Sequence, residues 1–309
     1  MTLAVLDAAA TAACLPYTDL VLALEAMLAR RRAGTTSAPE RLVVPLAGGV
    51  LLAMPASDGE FASTKLVTVH AGNPARGLPS LLGEVILMRA DTGERLLVLD
   101  GPTLTARRTA ALSALAALHL GATRGGELLI IGAGVQARAH LEAFARMLDV
   151  TRVRIASRDP ANAAKLVEHA RSLGLQASFG HDLSASVAAC PLIVTATTAQ
   201  APVIPDAVRV DAFVAAVGAY RPDMCELPAS LVRRARVVVD DRAGARHEAG
   251  DLLQAGVMID EVEALDSVVP AVSKRRDGQP VVFKSVGQAL WDLAAARLAN
   301  ETFNRAPAS

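Results

Sequence analysis

Short apolar runs alternate with stretches of helical periodicity through the middle of this chain, at 128–131, 153–156, 176–179, 192–196, 212–217 and 236–240. Runs of this length are too short for buried helices and suit parallel strands covered on both faces. Their alternation with helices predicts a doubly wound parallel sheet. The N-terminal third reads differently. An amphipathic stretch at 19–32 predicts a helix with Thr18 as N-cap and Gly34 just past its end. After it, runs near 42–46, 50–54, 61–70, 83–90 and 95–99 are joined by tight turns such as Ala47-Gly48-Gly49 and Asp91-Thr92-Gly93, which is the pattern of an antiparallel sheet. Helices are expected at 106–120 and at 286–298, the latter following Val281-Val-Phe-Lys-Ser-Val-Gly and returning to the first lobe.

The strand at 128–131 runs straight into Gly132-x-Gly134-x-x-Ala137, and helical periodicity begins at once. Gly132 permits a tight turn, Gly134 lets the backbone approach a pyrophosphate, and Ala137 is small enough for the helix to pack on the strand. The helix start adds unpaired N–H groups and a positive dipole end. A glycine pattern alone is weak, but here the flanking strand and helix supply its required context. Gly132, Ala133, Gly134, Val135, Gln136 and Ala137 are therefore the expected pyrophosphate contacts. The fold class expected is α/β: a Rossmann doubly wound parallel sheet plus an N-terminal α+β sheet domain. Residues 106–285 would form the dinucleotide-binding domain, and 1–105 with 286–309 the other.

An acid about 20 residues beyond the glycines would accept hydrogen bonds from an unphosphorylated ribose. The next strand ends instead in Ser157-Arg158-Asp159, with Asn162 opening the following helix. A hydroxyl, a guanidinium and an amide suit a 2′-phosphate, so Ser157, Arg158 and Asn162 predict NADP(H) over NAD(H). The rival reading gives the ribose to Asp159 and leaves Arg158 a solvated charge.

Composition narrows the class without choosing a reaction. The 309 residues suggest two domains with ample core. Lys plus Arg and Asp plus Glu number 31 each, which gives no pointer to nucleic acid or a membrane surface. No apolar stretch approaches the length of a membrane span, and the first charge is Asp7 rather than a basic flank, so a cytoplasmic protein is expected. Cys14, Cys190 and Cys225 are isolated and odd in number, which argues against a disulfide framework or a zinc site.

Three cations outside the Rossmann unit are harder to place. Arg108, beside Arg107, falls in the opening turn of the helix expected at 106–120, where a cation opposes the helix dipole unless an anion binds there. Lys65 shares a strand face with Phe61, Val67 and Val69, a costly position unless it meets an anion or reaches water. An edge-strand charge that deters aggregation is the bland alternative. Arg41, at the start of the first strand, reads by default as a solvated loop charge.

At this point the chain resembles a known family. The segments that carry the likeness are Arg41 in Pro-Glu-Arg-Leu, Lys65 followed by Asn73-Pro-Ala-Arg-Gly-Leu-Pro-Ser80, and Asp100-Gly-Pro-Thr-Leu-Thr-Ala-Arg-Arg-Thr-Ala-Ala111. They continue with Gly132–Ala137, Val217-Gly-Ala-Tyr-Arg-Pro-Asp-Met-Cys-Glu-Leu227, Glu248-Ala-Gly-Asp251 and Phe283-Lys-Ser-Val-Gly287. In this order they resemble the ornithine cyclodeaminase and mu-crystallin family over nearly the whole chain. The resemblance implies a homodimer whose N-terminal sheet domain binds substrate and dimerises. It also implies action on small amino or imino acids with a nicotinamide cofactor. Arg41, Lys65 and Arg108 would surround the substrate carboxylate, with Arg108 also near the cofactor. Ser80, Thr197, Val217 and Ser285 would line the cofactor.

Family membership leaves the reaction open among cyclodeaminases, dehydrogenases, ketimine reductases and a lens protein that binds thyroid hormone. Cyclodeaminases of the family carry an aspartate in the loop after the fifth Rossmann strand, and the matching residue here is Tyr220. Tyrosine is not anionic at neutral pH, and Asp223 could substitute only if the loop refolds. The wording Gly-Ala-x-Arg-Pro-Asp is closer to the ketimine reductases. The reaction expected is reduction of a cyclic imino acid such as Δ1-pyrroline-2-carboxylate or Δ1-piperideine-2-carboxylate by NADPH. Lys65, Tyr220 or a water would supply the proton, and Glu248 would stabilise an iminium, unless it is merely a charge at a helix start. The alternatives are a redox-neutral ornithine cyclodeaminase and a protein that binds a small ligand without turnover.

Overall fold

Residues 3–269 and 278–305 are described by a computed structural model. In chain order the elements are β1 (Ala4–Leu6), α1 (Ala8–Ala13), α2 (Tyr17–Arg32), β2 (Leu42–Leu46), β3 (Gly49–Ser57), β4 (Phe61–Val69), β5 (Leu81–Arg89), β6 (Arg95–Asp100) and α3 (Gly101–His119). Then follow β7 (Leu128–Ile131), α4 (Val135–Leu148), β8 (Arg152–Ala156), α5 (Pro160–Ser172), β9 (Gln176–Phe179), α6 (Leu183–Ala189), β10 (Leu192–Thr195) and β11 (Phe213–Ala216). The last are α7 (Ala229–Arg234), β12 (Arg236–Val239), α8 (Arg242–Glu248), α9 (Gly250–Gln254), β13 (Glu263–Ala264), α10 (Leu265–Val268), β14 (Val281–Lys284) and α11 (Ala289–Arg305). The chain separates into two units, Met1–Arg108 with Gln288–Ser309, and Thr109–Gly287. Among the described residues no helix is long and apolar enough to cross a membrane.

In the first unit the sheet runs β1-β6-β5-β4-β3-β2. Neighbours from β2 to β6 are antiparallel, and β1 joins β6 in parallel. Period-two alternation gives this sheet one buried face, against which α11 packs on β3, β4 and β5 and also meets α2. A single row crosses that face through paired residues Met54, Lys65, Val85, Leu99 and Leu6. Lys65 thus stands mid-sheet among apolar neighbours, and the edge-strand explanation of its charge fails. The outer face is apolar too: Leu42, Val44, Leu46, Leu66 and Leu82 are all exposed.

Several expected boundaries move, each for a local reason. The helix expected from 19 begins at Tyr17 after Pro16, so Thr18 lies inside it and is not its cap. The helix expected from 106 begins at Gly101, and Asp100 receives the amide of Thr103 at 2.8 Å. Arg107 and Arg108 therefore lie well inside α3, and the dipole argument for an anion at the helix start does not apply to them. The last helix begins at Ala289 rather than 286, because Gly287 adopts a positive φ of 84° while the amides of Val286 and Gly287 bind the Asp240 carboxylate. Sequence reading missed β1, α1, β13 and β14.

The second unit is a parallel sheet in the order β13-β12-β14-β11-β10-β7-β8-β9. Every residue of β7, β10, β11 and β14 is buried, as expected of strands covered by helices on both sides. Strand order reverses at β7 and β10, and ligands of such sheets bind beyond the carboxyl ends of the strands at this switch point. Cys14, Cys190 and Cys225 are buried free thiols.

Candidate active site

The side chains singled out by sequence gather in two constellations, one in each unit. In the first, Lys65 and Arg108 converge on a buried carboxylate. Lys65 Nζ lies 2.7 Å from Asp292 Oδ2, and Arg108 Nε lies 2.9 Å from Asp292 Oδ1, with all three side chains at most 5% exposed. The residues come from β4, α3 and α11. The alternation of β4 aims Lys65 at the layer where α11 packs. Burial pushes the Lys65 ammonium down, Asp292 draws it back up, and the charges of Arg108 and Arg41 push it down again, for a net value of about 8. Burial alone would raise the Asp292 carboxyl, but Arg108 and Lys65 outweigh it and hold it below the ordinary range. Arg41 is half-buried, and its positive charge is felt at Lys65. Lys65 and Arg108 set against the single carboxylate of Asp292 leave a net positive charge in this cluster, an environment suited to a small anion.

The second constellation surrounds the glycine turn. Gly132 has φ 113°, and a Cβ there would lie 2.4 Å from the carbonyl oxygen of Ala196, so only glycine fits without rearrangement. A Cβ on Gly134 would meet nothing within 4 Å. Gly134 is the N-cap of α4 and offers no side-chain hydrogen bond to the first-turn amides. Ala137 is fully buried, and α4 packs on β7 and β10. An open, glycine-lined helix start with no side-chain cap fits a pyrophosphate. Val135 is 68% exposed, and Ala133 and Gln136 are half-buried.

At the end of β8, Ser157 is half-buried, whereas Arg158 and Asn162 are exposed. Asp159 caps α5: its Oδ1 accepts the amides of Ala161 and Asn162, and its Oδ2 accepts the Asn162 side-chain amide at 2.6 Å. The carboxylate of the ribose reading and the Asn162 amide of the 2′-phosphate reading thus bind each other. Ser80 is exposed, and Val217 is buried at the end of β11. The Thr197 hydroxyl binds Glu226 at 2.8 Å, and Ser285 donates to Asp240 at 2.8 Å.

Tyr220 is half-buried in the loop after β11. Asp223, the possible substitute for the missing aspartate, is exposed and binds Arg221 and Gln200. Glu248 is half-buried at the last position of α8 and immediately precedes Ala249, the N-cap of α9. An anion there opposes the dipole of α8 but favours the start of α9, so the helix-start reading stands beside the iminium one.

The sequence reading assigned no role to four buried polar residues that organise these sites: Asp292, Glu226, Asp251 and Lys284. Lys284 is fully buried, and its Nζ binds Asp251 Oδ2 at 2.7 Å. Asp251 Oδ1 in turn accepts the amides of Glu226 and Leu227. The last three lie within the quoted family segments. For Asp292 the available pointer was a carboxylate placed amid the alanines and leucines of the last helix.

These features agree with what the chain is similar to. The model of the Ornithine cyclodeaminase/mu-crystallin family matches residues 2–306, and the chain belongs to this family. It is 48% identical over 300 residues to Delta(1)-pyrroline-2-carboxylate reductase 1 of Burkholderia multivorans, covering 96% of this chain and 95% of the relative. It is 37% identical over 293 residues to the ketimine reductase mu-crystallin of Rattus norvegicus, covering 92% of each. The structure of the Thermococcus litoralis Delta(1)-pyrroline-2-carboxylate reductase in complex with NADH and L-proline superposes with a TM-score of 0.91 at 28% identity, covering 97% of both chains.

Proposed function

We propose that this protein reduces a cyclic imino acid of the Δ1-pyrroline-2-carboxylate or Δ1-piperideine-2-carboxylate type with a nicotinamide dinucleotide, NADPH in preference to NADH. The observation that carries the reading is the buried cluster in which Lys65 and Arg108 share Asp292 while the charge of Arg41 acts on Lys65. The similarity to pyrroline-2-carboxylate and ketimine reductases supports it. Arg41, Lys65 and Arg108 bind the substrate carboxylate. Gly132 to Ala137 hold the pyrophosphate, Ser157, Arg158 and Asn162 take the 2′-phosphate, and Ser80, Arg108, Thr197, Val217 and Ser285 line the remainder of the cofactor.

When bound, the reduced nicotinamide supplies a hydride. The chain's own residues orient the acid and hold the proton that the lone pair of the imine nitrogen takes to form the iminium, the better hydride acceptor. With a value of about 8, Lys65 is largely protonated at neutral pH yet close enough to give up a proton. Tyr220 or a water is the other candidate donor, and Glu248 stabilises the iminium. The cyclodeaminase reading is disfavoured by Tyr220 at the aspartate position and by the engagement of Asp223 with Arg221 and Gln200. Binding without turnover is disfavoured by a buried lysine tuned towards proton donation. The protein acts in the cytoplasm as a homodimer joined through the apolar outer face of the first sheet, where Leu42, Leu66 and Leu82 stand exposed.

Purified protein should oxidise NADPH on addition of either imino acid, forming proline or pipecolate, and should bind NADPH more tightly than NADH. Ammonia release from L-ornithine with NAD would favour the cyclodeaminase instead, and tighter NADH binding would overturn the cofactor preference.

A further inference from the structure

The loops that leave the carboxyl ends of β10 and β11 touch one another. A Cβ on Gly218 would lie 2.1 Å from the Thr197 carbonyl oxygen and 2.5 Å from Glu226 Oε1. Glu226 is fully buried between these loops and accepts five donors. Its Oε1 takes the Thr197 amide at 2.7 Å and the Thr197 hydroxyl at 2.8 Å. Its Oε2 takes the Gly218 amide at 2.7 Å, the Thr195 hydroxyl at 3.1 Å and the Ala219 amide at 3.3 Å. The backbone of Glu226 is itself fixed, because its amide binds Asp251, whose other oxygen binds Lys284, and Lys284 also donates to the Ala219 carbonyl. Burial raises the Glu226 carboxyl above its ordinary range, while Lys284 and the Thr197 donors draw it back.

We propose that Glu226 is a positioning residue for the nicotinamide half of the dinucleotide, holding the 195–197 and 217–220 loops in a single arrangement beyond the strand ends. The inference rests on the dinucleotide reading given above. Buried as it is, Glu226 acts through Thr197, Gly218 and Ala219, whose amides it accepts, and so on their chain neighbours Val217 and Tyr220. The adenine half belongs to different segments, the glycine turn and residues 157–162, so the two halves can be tested separately. Glutamine is the informative replacement. Each carboxylate oxygen accepts a backbone N–H, from Thr197 on one side and Gly218 on the other, and a side-chain NH2 placed at either position would face a donor.

The test compares full-length wild type with Glu226→Gln by calorimetric titration, using NADPH and, as a probe of the adenine half, adenosine 2′,5′-bisphosphate. NADPH affinity should fall about tenfold or more, the scale of a lost charge-assisted hydrogen bond, while bisphosphate affinity stays unchanged. Thr195→Val removes one of the five donors and should weaken NADPH about threefold with the same indifference to the bisphosphate; it carries the test if the glutamine variant does not fold. Equal weakening of both probes would reveal general structural damage and overturn the proposal, as would no change in either. Wild-type protein that binds neither probe would overturn the dinucleotide reading and this role with it. Wild type that binds both but reduces no imino acid would leave the role of Glu226 standing and overturn the proposed reaction.

Discussion

Asp292→Asn removes one negative charge from the Lys65 cluster and keeps its shape, so its effect can be worked through. Wild-type Asp292 lies 2.7 Å from Lys65 and 2.9 Å from Arg108, all of them buried. At an effective dielectric of about 20, charges this close attract by roughly 6 kcal/mol, and measured losses on breaking buried pairs run about 3–5 kcal/mol. The lower figure, at about 1.4 kcal/mol per pKa unit, takes Lys65 down by about 2, to near 6 from its wild-type value of about 8. At pH 7 the protonated fraction of Lys65 then drops from about nine-tenths to about one-tenth. The assay is kcat/KM for the imino acid against pH, which reports the free enzyme. Wild type should lose activity as pH rises through about 8, and the variant should lose it about two pH units lower, with roughly a tenfold deficit at pH 7 at saturating NADPH. A descending limb that stays in place would refute the idea that Asp292 sets the charge of Lys65 and that this charge matters to turnover.

Other expectations follow from the same geometry. Lys65→Ala and Arg41→Ala should each cost several kcal/mol in kcat/KM with NADPH affinity intact; near-wild-type turnover in both would remove them from the substrate site. His140 is buried, with Nδ1 donating to the Gln136 carbonyl and Nε2 accepting the Ser113 hydroxyl, and burial lowers it from 6.5 to about 4. Between those values the unfolded chain binds the extra proton, so stability is full above about 6.5 and falls by about 3 kcal/mol as pH drops to 4. Denaturant melts of wild type and His140→Gln should differ in that slope, and identical slopes would contradict the assignment. Arg158→Ala should weaken NADPH about tenfold while sparing NADH, and equal effects on the two cofactors would refute a 2′-phosphate contact.

Local rules served the chain well where one pattern decided the outcome. The strands of the parallel sheet showed as apolar runs because both of their faces are buried, and Lys65 stood out because alternation put it on an apolar face. Asp292 could not be found this way. Its meaning depends on Lys65, 227 positions earlier by residue number, and on Arg108, and no local pattern links the three. The start of α3 was misplaced because Gly101 and Pro102 look like a loop, whereas Asp100 caps the helix ahead of them. Likewise β14 ends in a lysine that reads as exposed until its buried partner Asp251 is known.

The central claim is that this chain reduces a carbon–nitrogen double bond beside a carboxylate. It is tested most directly with NADPH carrying deuterium at both nicotinamide C4 positions, offered with Δ1-pyrroline-2-carboxylate and followed by mass spectrometry of the product. The account predicts proline bearing one deuterium at its α-carbon, formed in step with NADPH consumed. Proline without the label, or no consumption of NADPH alongside ammonia release from L-ornithine, would contradict it.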